Sequence, residues 1–469
     1  MRASGAPFTG APRNDERQLP VGFLGLNGEA VTGGKPGLWS DVRFVGAVSA
    51  LAPQAIRVFG GTPANFWDWR TGTFVRDAHV PPTLARLRRR IHVSLTDWAR
   101  VVRAAHAVPV YDLNLVTATL ADQLAMLAAA RRLGLPVTRV ELGNELYSAR
   151  YAWRFGSAAD YVRVANRWTA ALRAAFPGVQ VALAGRDQPA PDPVGLAPAR
   201  EAGWNQAVLA GRRGEDALTL HTYFRSGLGP GGSPGDPQSA QVMLAAALTR
   251  TQDTVAQTRR LPPGVQAWVT EFNLFDRGTR ASATWAQGLD VALCVLGLAL
   301  DPRVAQADAH ALTASAPFGA IFPDAHGLDF GPAPAGIDAI PAAFGSPARG
   351  PVPTAPWARS ATGTALGTML AVLDGADAVR GLTFTSTVSA PDRPVGAELS
   401  AAGTMRALLV NPLPRAVAVV LPPALVGRPF AERWGAPDLL VRGPTSLHHA
   451  RGRGAGTLVL APYSLTRLG

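Results

Sequence analysis

From about residue 21 the chain alternates short apolar runs of β-type residues with longer stretches of helical period, the arrangement that builds a parallel sheet with helical crossovers. Eight strands are predicted, at 22–27, 55–59, 108–113, 139–144, 179–184, 217–221, 266–271 and 306–310. Between them, 120–133 places Leu120, Leu124, Leu127 and Ala128 on one helical face and stops at Gly134; 157–176 reads the same way. The Pro-, Gly- and Ala-rich segment 311–356 is too long for an ordinary connection and is expected to be a loop over the barrel mouth. A helix at 357–373 would close the barrel. From 376 onward β-runs follow one another without helices, at 382–388, 405–410, 416–421, 439–441, 457–460 and 464–468. The pattern therefore predicts an α/β chain: an N-terminal extension (1–20), a (β/α)8 TIM barrel (21–375) and a small antiparallel β-sandwich (376–469). No repeat of fixed period is present.

Composition narrows the function classes. The 469 residues are 47% hydrophobic and 17% charged, too apolar for a disordered chain. The net charge of +12 comes almost wholly from arginine, with Lys35 the single lysine. Arginine is scattered, and its dense stretches, Arg86 to Arg90 and Arg451-Gly452-Arg453, are short; a solvated face is preferred over an acidic partner, and no nucleic acid is expected. Cys294, alone in an apolar helical stretch, reads as a buried structural thiol. No run reaches the ~18 apolar residues of a membrane span, and 1–20 lacks the apolar core of an export signal. A cytoplasmic protein is expected, or a secreted one if the start is misassigned.

Two strings carry the chemistry. Val140-Glu141-Leu142-Gly143-Asn144-Glu145 and Trp268-Val269-Thr270-Glu271-Phe272-Asn273 each put a glutamate at the end of a strand-like run, on the fourth and seventh predicted strands. A carboxylate at the carboxyl end of a barrel strand sits where catalytic groups sit, and two at one mouth can share the breaking of a glycosidic bond. Arg57, in the apolar run Ile56-Arg57-Val58-Phe59-Gly60-Gly61, needs an ionised partner such as Glu271 or Glu141 and would hold it ionised. Asn65, Trp67 and Trp69 in the loop that follows offer amide atoms and flat faces to a sugar ring. After the sixth strand, Tyr223 can donate to the nucleophile and His221 can bridge neighbouring carboxylates. The glycine pattern at 227–232 contains Pro230 and leads into no helix, so it reads as a loop; the eight histidines have no metal spacing, and His448-His449 reads as an exposed pair in the sandwich. No cofactor and no metal is expected.

Gly-Asn-Glu on the fourth strand, Thr-Glu-Phe-Asn on the seventh, His-x-Tyr after the sixth and Arg-x-x-Gly-Gly on the second together resemble the clan A retaining glycoside hydrolases. The two-domain layout and the 57–69 loop are most similar to the heparanase and β-glucuronidase family, with the α-L-arabinofuranosidase and β-xylosidase families close behind. The resemblance implies Glu145 as acid/base, Glu271 as nucleophile, Asn144 on the sugar 2-hydroxyl, and Tyr223 and Arg57 beside the nucleophile. Leu146 stands where many members carry proline, and the N-terminal sandwich strand of those families would have to come from 1–20. The expected activity is O-glycoside hydrolysis by double displacement on a carbohydrate substrate, β-glucuronidase-like or heparanase-like. The alternatives are α-L-arabinofuranosidase or β-xylosidase activity, or a barrel that binds glycan without cleaving it. Double displacement requires the two carboxyl groups ~5 Å apart.

Overall fold

The computed structural model describes residues 3, 5–28, 37–187, 198–229, 231–276, 279, 281, 284–313, 318–321, 357–386, 393–434, 439–440 and 447–469. All eight apolar runs become strands: Leu24–Gly28, Ala55–Val58, Val108–Asp112, Arg139–Leu142, Gln180–Ala184, Ala217–Phe224, Gln266–Leu274 and Val304–Ala309. They pair in parallel in chain order, and the eighth returns to the first with Ala307 opposite Leu24, closing the barrel. Three registers matter for the site: Asn27 lies opposite Arg57, Asp112 opposite Glu141, and His221 opposite Glu271. The last depends on an irregularity between Leu220 and His221 that shifts the sixth strand by one residue.

Helices start where side chains can satisfy their first N–H groups. The hydroxyl of Thr119 accepts from Asp122 at the head of Leu120–Arg132, and Ser157 accepts from Asp160 at the head of Ala158–Ala175. The closing helix, Ala361–Leu373, begins after Ser360 and not at Trp357, whose left-handed φ of 67° cannot enter a helix. Trp285–Ala299 is buried on nearly every residue because it lies between barrel and sandwich; the Trp285 indole donates to the Tyr463 carbonyl at 2.8 Å. Cys294 is inside this helix, and burial pushes its thiol up to about 12. Among the described residues no helix is long and apolar enough to cross a membrane.

The C-terminal strands assemble in the spatial order His448–Arg453, Pro429–Trp434, Ser464–Leu468, Thr404–Asn411, Val395–Ala401, Ala378–Thr385, Phe8–Pro12, Val417–Val420 and Thr457–Leu460. Phe8, Leu382, Phe384, Leu409, Val419 and Leu460 form part of their own core. Segment 1–20 is more than an extension: Phe8–Pro12 sits between two C-terminal strands, and Arg17–Gln18 also pairs with Ala378–Thr385. Three of the C-terminal strands were not predicted. Val395–Ala401, Pro429–Trp434 and His448–Arg453 each mix polar or charged residues into the run, and neighbouring strands supply the ladder that apolar content alone does not signal. Conversely, Leu439 and Leu440 of the expected 439–441 strand form a turn, and residue 441 lies outside the described residues. Most of the expected loop 311–356, and Pro230 of the glycine-rich loop, also lie outside them.

Candidate active site

The site is organised by one guanidinium. Arg57, fully buried on the second strand, donates from Nε to Glu141 Oε2 at 2.8 Å and from Nη1 to Glu271 Oε1 at 2.7 Å. Its Nη2 donates to Asp112 Oδ2 at 2.9 Å and to Asn144 Oδ1 at 3.0 Å. Strands two, three, four and seven are thereby tied through a single cation. A charge in an apolar strand is tolerated when it is paired and hydrogen-bonded in this way.

Around this centre the acids are driven apart. Burial, reinforced by Glu141 and Glu271 and opposed by Arg57, raises Asp112 well above the usual carboxylate range. Burial would raise Glu271 too, but His221, His310, Arg57 and the Tyr223 hydroxyl outweigh it and hold Glu271 at about 2. Tyr223 Oη donates to Glu271 Oε2 at 2.6 Å, and Asn27 Nδ2 donates to Oε1 at 3.3 Å. Asn27 in turn meets His310 Nδ1 at 2.8 Å. Gly60 makes room for this: a Cβ there would lie 1.7 Å from Asn27 Oδ1.

Glu145 is held differently. The fourth strand ends at Leu142, and Gly143 (φ 86°) and Glu145 (φ 50°) turn the chain through left-handed backbone. Strict alternation along the strand therefore fails beyond Leu142: Glu141 is buried on Arg57 while the Glu145 side chain is 31% exposed. Glu145 Oε1 accepts from Tyr147 Oη at 3.0 Å and lies 3.0 Å from His221 Nδ1. That nitrogen is also 3.7 Å from Glu271 Oε2, so His221 stands between the two carboxylates. Burial lowers its pKa, but Glu271 and the hydrogen bond to Glu145 raise it by more, and the net direction is upward. An oxygen of Glu145, a ring nitrogen of His221 and an oxygen of Glu271 all lie within 4.8 Å of one another. This trio is also the one group of His, Cys and acidic side chains among the described residues whose spacing suits a metal.

The remaining expected site residues divide. Asn144 uses Oδ1 on Arg57 and donates its side-chain N–H to no described residue, which leaves Nδ2 for a ligand. Asn65, fully buried, donates to the Asn144 carbonyl at 2.8 Å and accepts the Asn144 N–H at 3.2 Å, so both its amide atoms are engaged in fixing the backbone of the acid-bearing turn. Trp67 is buried against Phe59, 5.9 Å away and stacked, and Phe74, 5.7 Å away and edge-on. Trp69 donates to Asp122 at 3.2 Å, and the Arg70 guanidinium covers its ring. Trp67 therefore presents no bare face, whereas Trp69 is half-buried with one face under Arg70. The aromatic group at the mouth is instead Tyr223, Phe275 and Phe318, with Phe275 and Phe318 stacked at 5.8 Å.

Sequence reasoning omitted Asn27, Asp112, Tyr147, Phe275, His310 and Phe318 as site residues and mentioned Glu141 only as a partner for Arg57. Asp112, an acid closing the run Val-Pro-Val-Tyr, carried the same signal as Arg57 and was findable. Asn27 and His310 end the first and eighth predicted strands and were findable by the same rule of strand ends. Tyr147, Phe275 and Phe318 lie beyond strand ends, where no period points a side chain.

No family model and no curated protein matches the sequence. Solved structures do. An arabinofuranosidase of family GH51 from Xanthomonas axonopodis pv. citri aligns over 99% of both chains, at 14% identity and a TM-score of 0.67. AbfB, a family 51 α-L-arabinofuranosidase from Bifidobacterium longum, does so over 99% of both chains at 14% identity and a TM-score of 0.70. The fold is that of clan A glycoside hydrolases. A 4-O-α-L-rhamnosyl-β-D-glucuronidase from Fusarium oxysporum 12S is a more distant likeness, at 15% identity over 99% of both chains with a TM-score of 0.54.

Proposed function

We propose that the protein is a retaining glycoside hydrolase in which Glu271 is the nucleophile and Glu145 the acid/base. The observation that carries the reading is the approach of the two carboxyl groups, one oxygen of each lying within 4.8 Å of the other, at the carboxyl ends of strands four and seven. Retaining enzymes hold their carboxyl groups ~5–5.5 Å apart and inverting ones ~6.5–9.5 Å, to admit a water. In the first step a Glu271 oxygen bonds to the anomeric carbon while the bond to the leaving oxygen breaks and Glu145 gives that oxygen its proton. In the second, Glu145 takes a proton from water as the water oxygen displaces Glu271 and restores its carboxylate. The unequal surroundings suit these roles. Glu271 is saturated with donors that favour the anion, whereas Glu145 has Tyr147 and His221 on one oxygen and leaves the other open.

For the sugar, an α-L-arabinofuranoside comes first, being the substrate named for the fold neighbours of higher TM-score. A β-glucuronide, favoured by the sequence resemblance and by the Fusarium neighbour, is the second reading. Aryl α-L-arabinofuranoside, β-xyloside, β-glucuronide, β-glucoside and β-galactoside assayed side by side assign it. The mechanism is tested by trapping with the 2-deoxy-2-fluoro glycoside of whichever sugar is turned over. The label is expected on Glu271, and a Glu271→Ala enzyme with near-full turnover refutes the assignment.

A further inference from the structure

At the other end of the barrel a groove of about 980 Å³ separates the starts of the first three strands from the sandwich. One side is the helix Ala361–Leu373 with Gln54 and His106; the other is the outer face of the sheet. On that face Arg451 and Arg467 lie directly opposite Ala431 from its two sides, and Arg433 projects two residues further along the same strand. Three guanidiniums thus come from three adjacent strands around one small side chain. Like charges so placed repel, and burial together with Arg451 and Arg467 lowers the Arg433 pKa.

Nothing in the described protein neutralises them. Arg359, which also lines the groove, donates to the Ala50 carbonyl, and neighbouring Arg406 donates to the carbonyls of Val372 and Asp374. The side chains of Arg433, Arg451 and Arg467 have no hydrogen bond and no ion pair with any described residue. The groove's two acids are exposed and make no ion pair with these arginines; Asp377 accepts the Ala402 N–H at 2.9 Å. Four arginines against two aspartates leave the groove positive.

We propose that this groove is a binding site for an acidic glycan, with Arg433, Arg451 and Arg467 receiving its carboxylate or sulfate groups. A guanidinium presents paired N–H donors that match such oxyanions two by two. The volume lies at the upper end of the ~300–1,000 Å³ of ligand sites, room for sugar units and not merely for one ion. The choice of a glycan as carrier rests on the glycosidase reading; the capture of an oxyanion does not. The site lies at the barrel end opposite Glu145 and Glu271, so it holds polymer without touching the reacting bond.

The test is affinity electrophoresis and calorimetry of the full chain against polygalacturonic acid, a sulfated heparin oligosaccharide, neutral arabinan, inorganic sulfate and a short DNA duplex. At least one acidic glycan is expected to bind, to weaken with added salt, and to lose tenfold or more in affinity in the Arg433→Gln/Arg451→Gln/Arg467→Gln variant. Turnover of the aryl glycoside stays unchanged in that variant, and its thermal midpoint is equal or higher because the repulsion is gone. Which polymer binds separates uronate from sulfate. The proposal is overturned if the triple variant binds the glycan as the wild type does, if arabinan binds equally well, if sulfate ion is taken but neither acidic glycan is, or if DNA binds more tightly than both. A Glu271→Ala enzyme that is inactive yet binds glycan normally keeps the groove distinct from the active site; a protein without glycosidase activity that still binds through the three arginines overturns only the first reading.

Discussion

Replacing Tyr223 with phenylalanine removes one oxygen atom and with it the 2.6 Å hydrogen bond to Glu271 Oε2, while the ring keeps its packing on Phe275 and Phe318. A hydrogen bond to a charged group contributes ~1.5–3 kcal/mol, and one pH unit corresponds to ~1.4 kcal/mol, so the carboxylate should become easier to protonate by about one to two pH units. Glu271 is held at about 2 in the wild type, below the ordinary carboxylate value of 4.5. A depressed pKa stabilises the folded protein above the ordinary value and ceases to do so as pH falls through the depressed one. Loss of Tyr223 therefore makes both stability and nucleophile activity fail earlier on acidification. The assay is kcat/KM against pH on a dinitrophenyl glycoside, whose leaving group needs no acid and so isolates the nucleophile limb. An upward shift of the acidic limb is expected. An acidic limb identical to wild type would show that Tyr223 does not set the ionisation of Glu271 and would refute the electrostatic reasoning.

Arg57→Met leaves Asp112, Glu141 and Glu271 buried without their shared cation and should cost about 3–5 kcal/mol in denaturant unfolding at neutral pH. The deficit narrows on acidification as the unpaired acids take up protons; a deficit independent of pH would contradict the pairing. Tyr147→Phe loosens Glu145, so kcat/KM should fall about tenfold on a glycoside with an alkyl leaving group and little on the dinitrophenyl one. Equal losses on both substrates would remove Tyr147 from acid/base positioning. Asn65→Ala deletes both bonds to the Asn144 backbone and should lower stability by about 1–3 kcal/mol and kcat more than KM. A raised KM with kcat unchanged would instead place Asn65 on the substrate.

The arrangement also accounts for how a strongly cationic protein keeps Glu271 and Glu145 close together at one barrel end. Arg57 is buried and fully engaged by Glu141, Glu271, Asp112 and Asn144, so its charge is local to the carboxylates. The unengaged arginines found in the far groove sit on the sandwich. One of them, Arg451, belongs to a short dense stretch that by sequence reads as a solvated face. Pairing of three strands turns it toward Arg433 and Arg467.

The barrel strands were legible because each is an apolar run bounded by turn-formers, and a charge inside such a run must be paired to be there. That argument singles out Arg57 and Glu271 from the chain alone, with Glu141 only as a partner for Arg57, and the helix caps at Thr119 and Ser157 follow from local chemistry as well. The sandwich was legible only where its strands are apolar. His448–Arg453 and Pro429–Trp434 are strands because partners complete their hydrogen bonds, which no local pattern encodes. Tertiary structure alone decided which tryptophan faces are covered, since Trp67 and Trp69 carry the same signal in sequence but only Trp67 is buried, while Trp69 stays half-buried beneath Arg70. It alone decided that the chain turns left-handed at Gly143 and Glu145, so that residues 141 and 145 part company despite equal parity. Local pattern determines what each segment can become; distances between segments arise only when the barrel closes and brings residues 57, 145, 221 and 271 to one place.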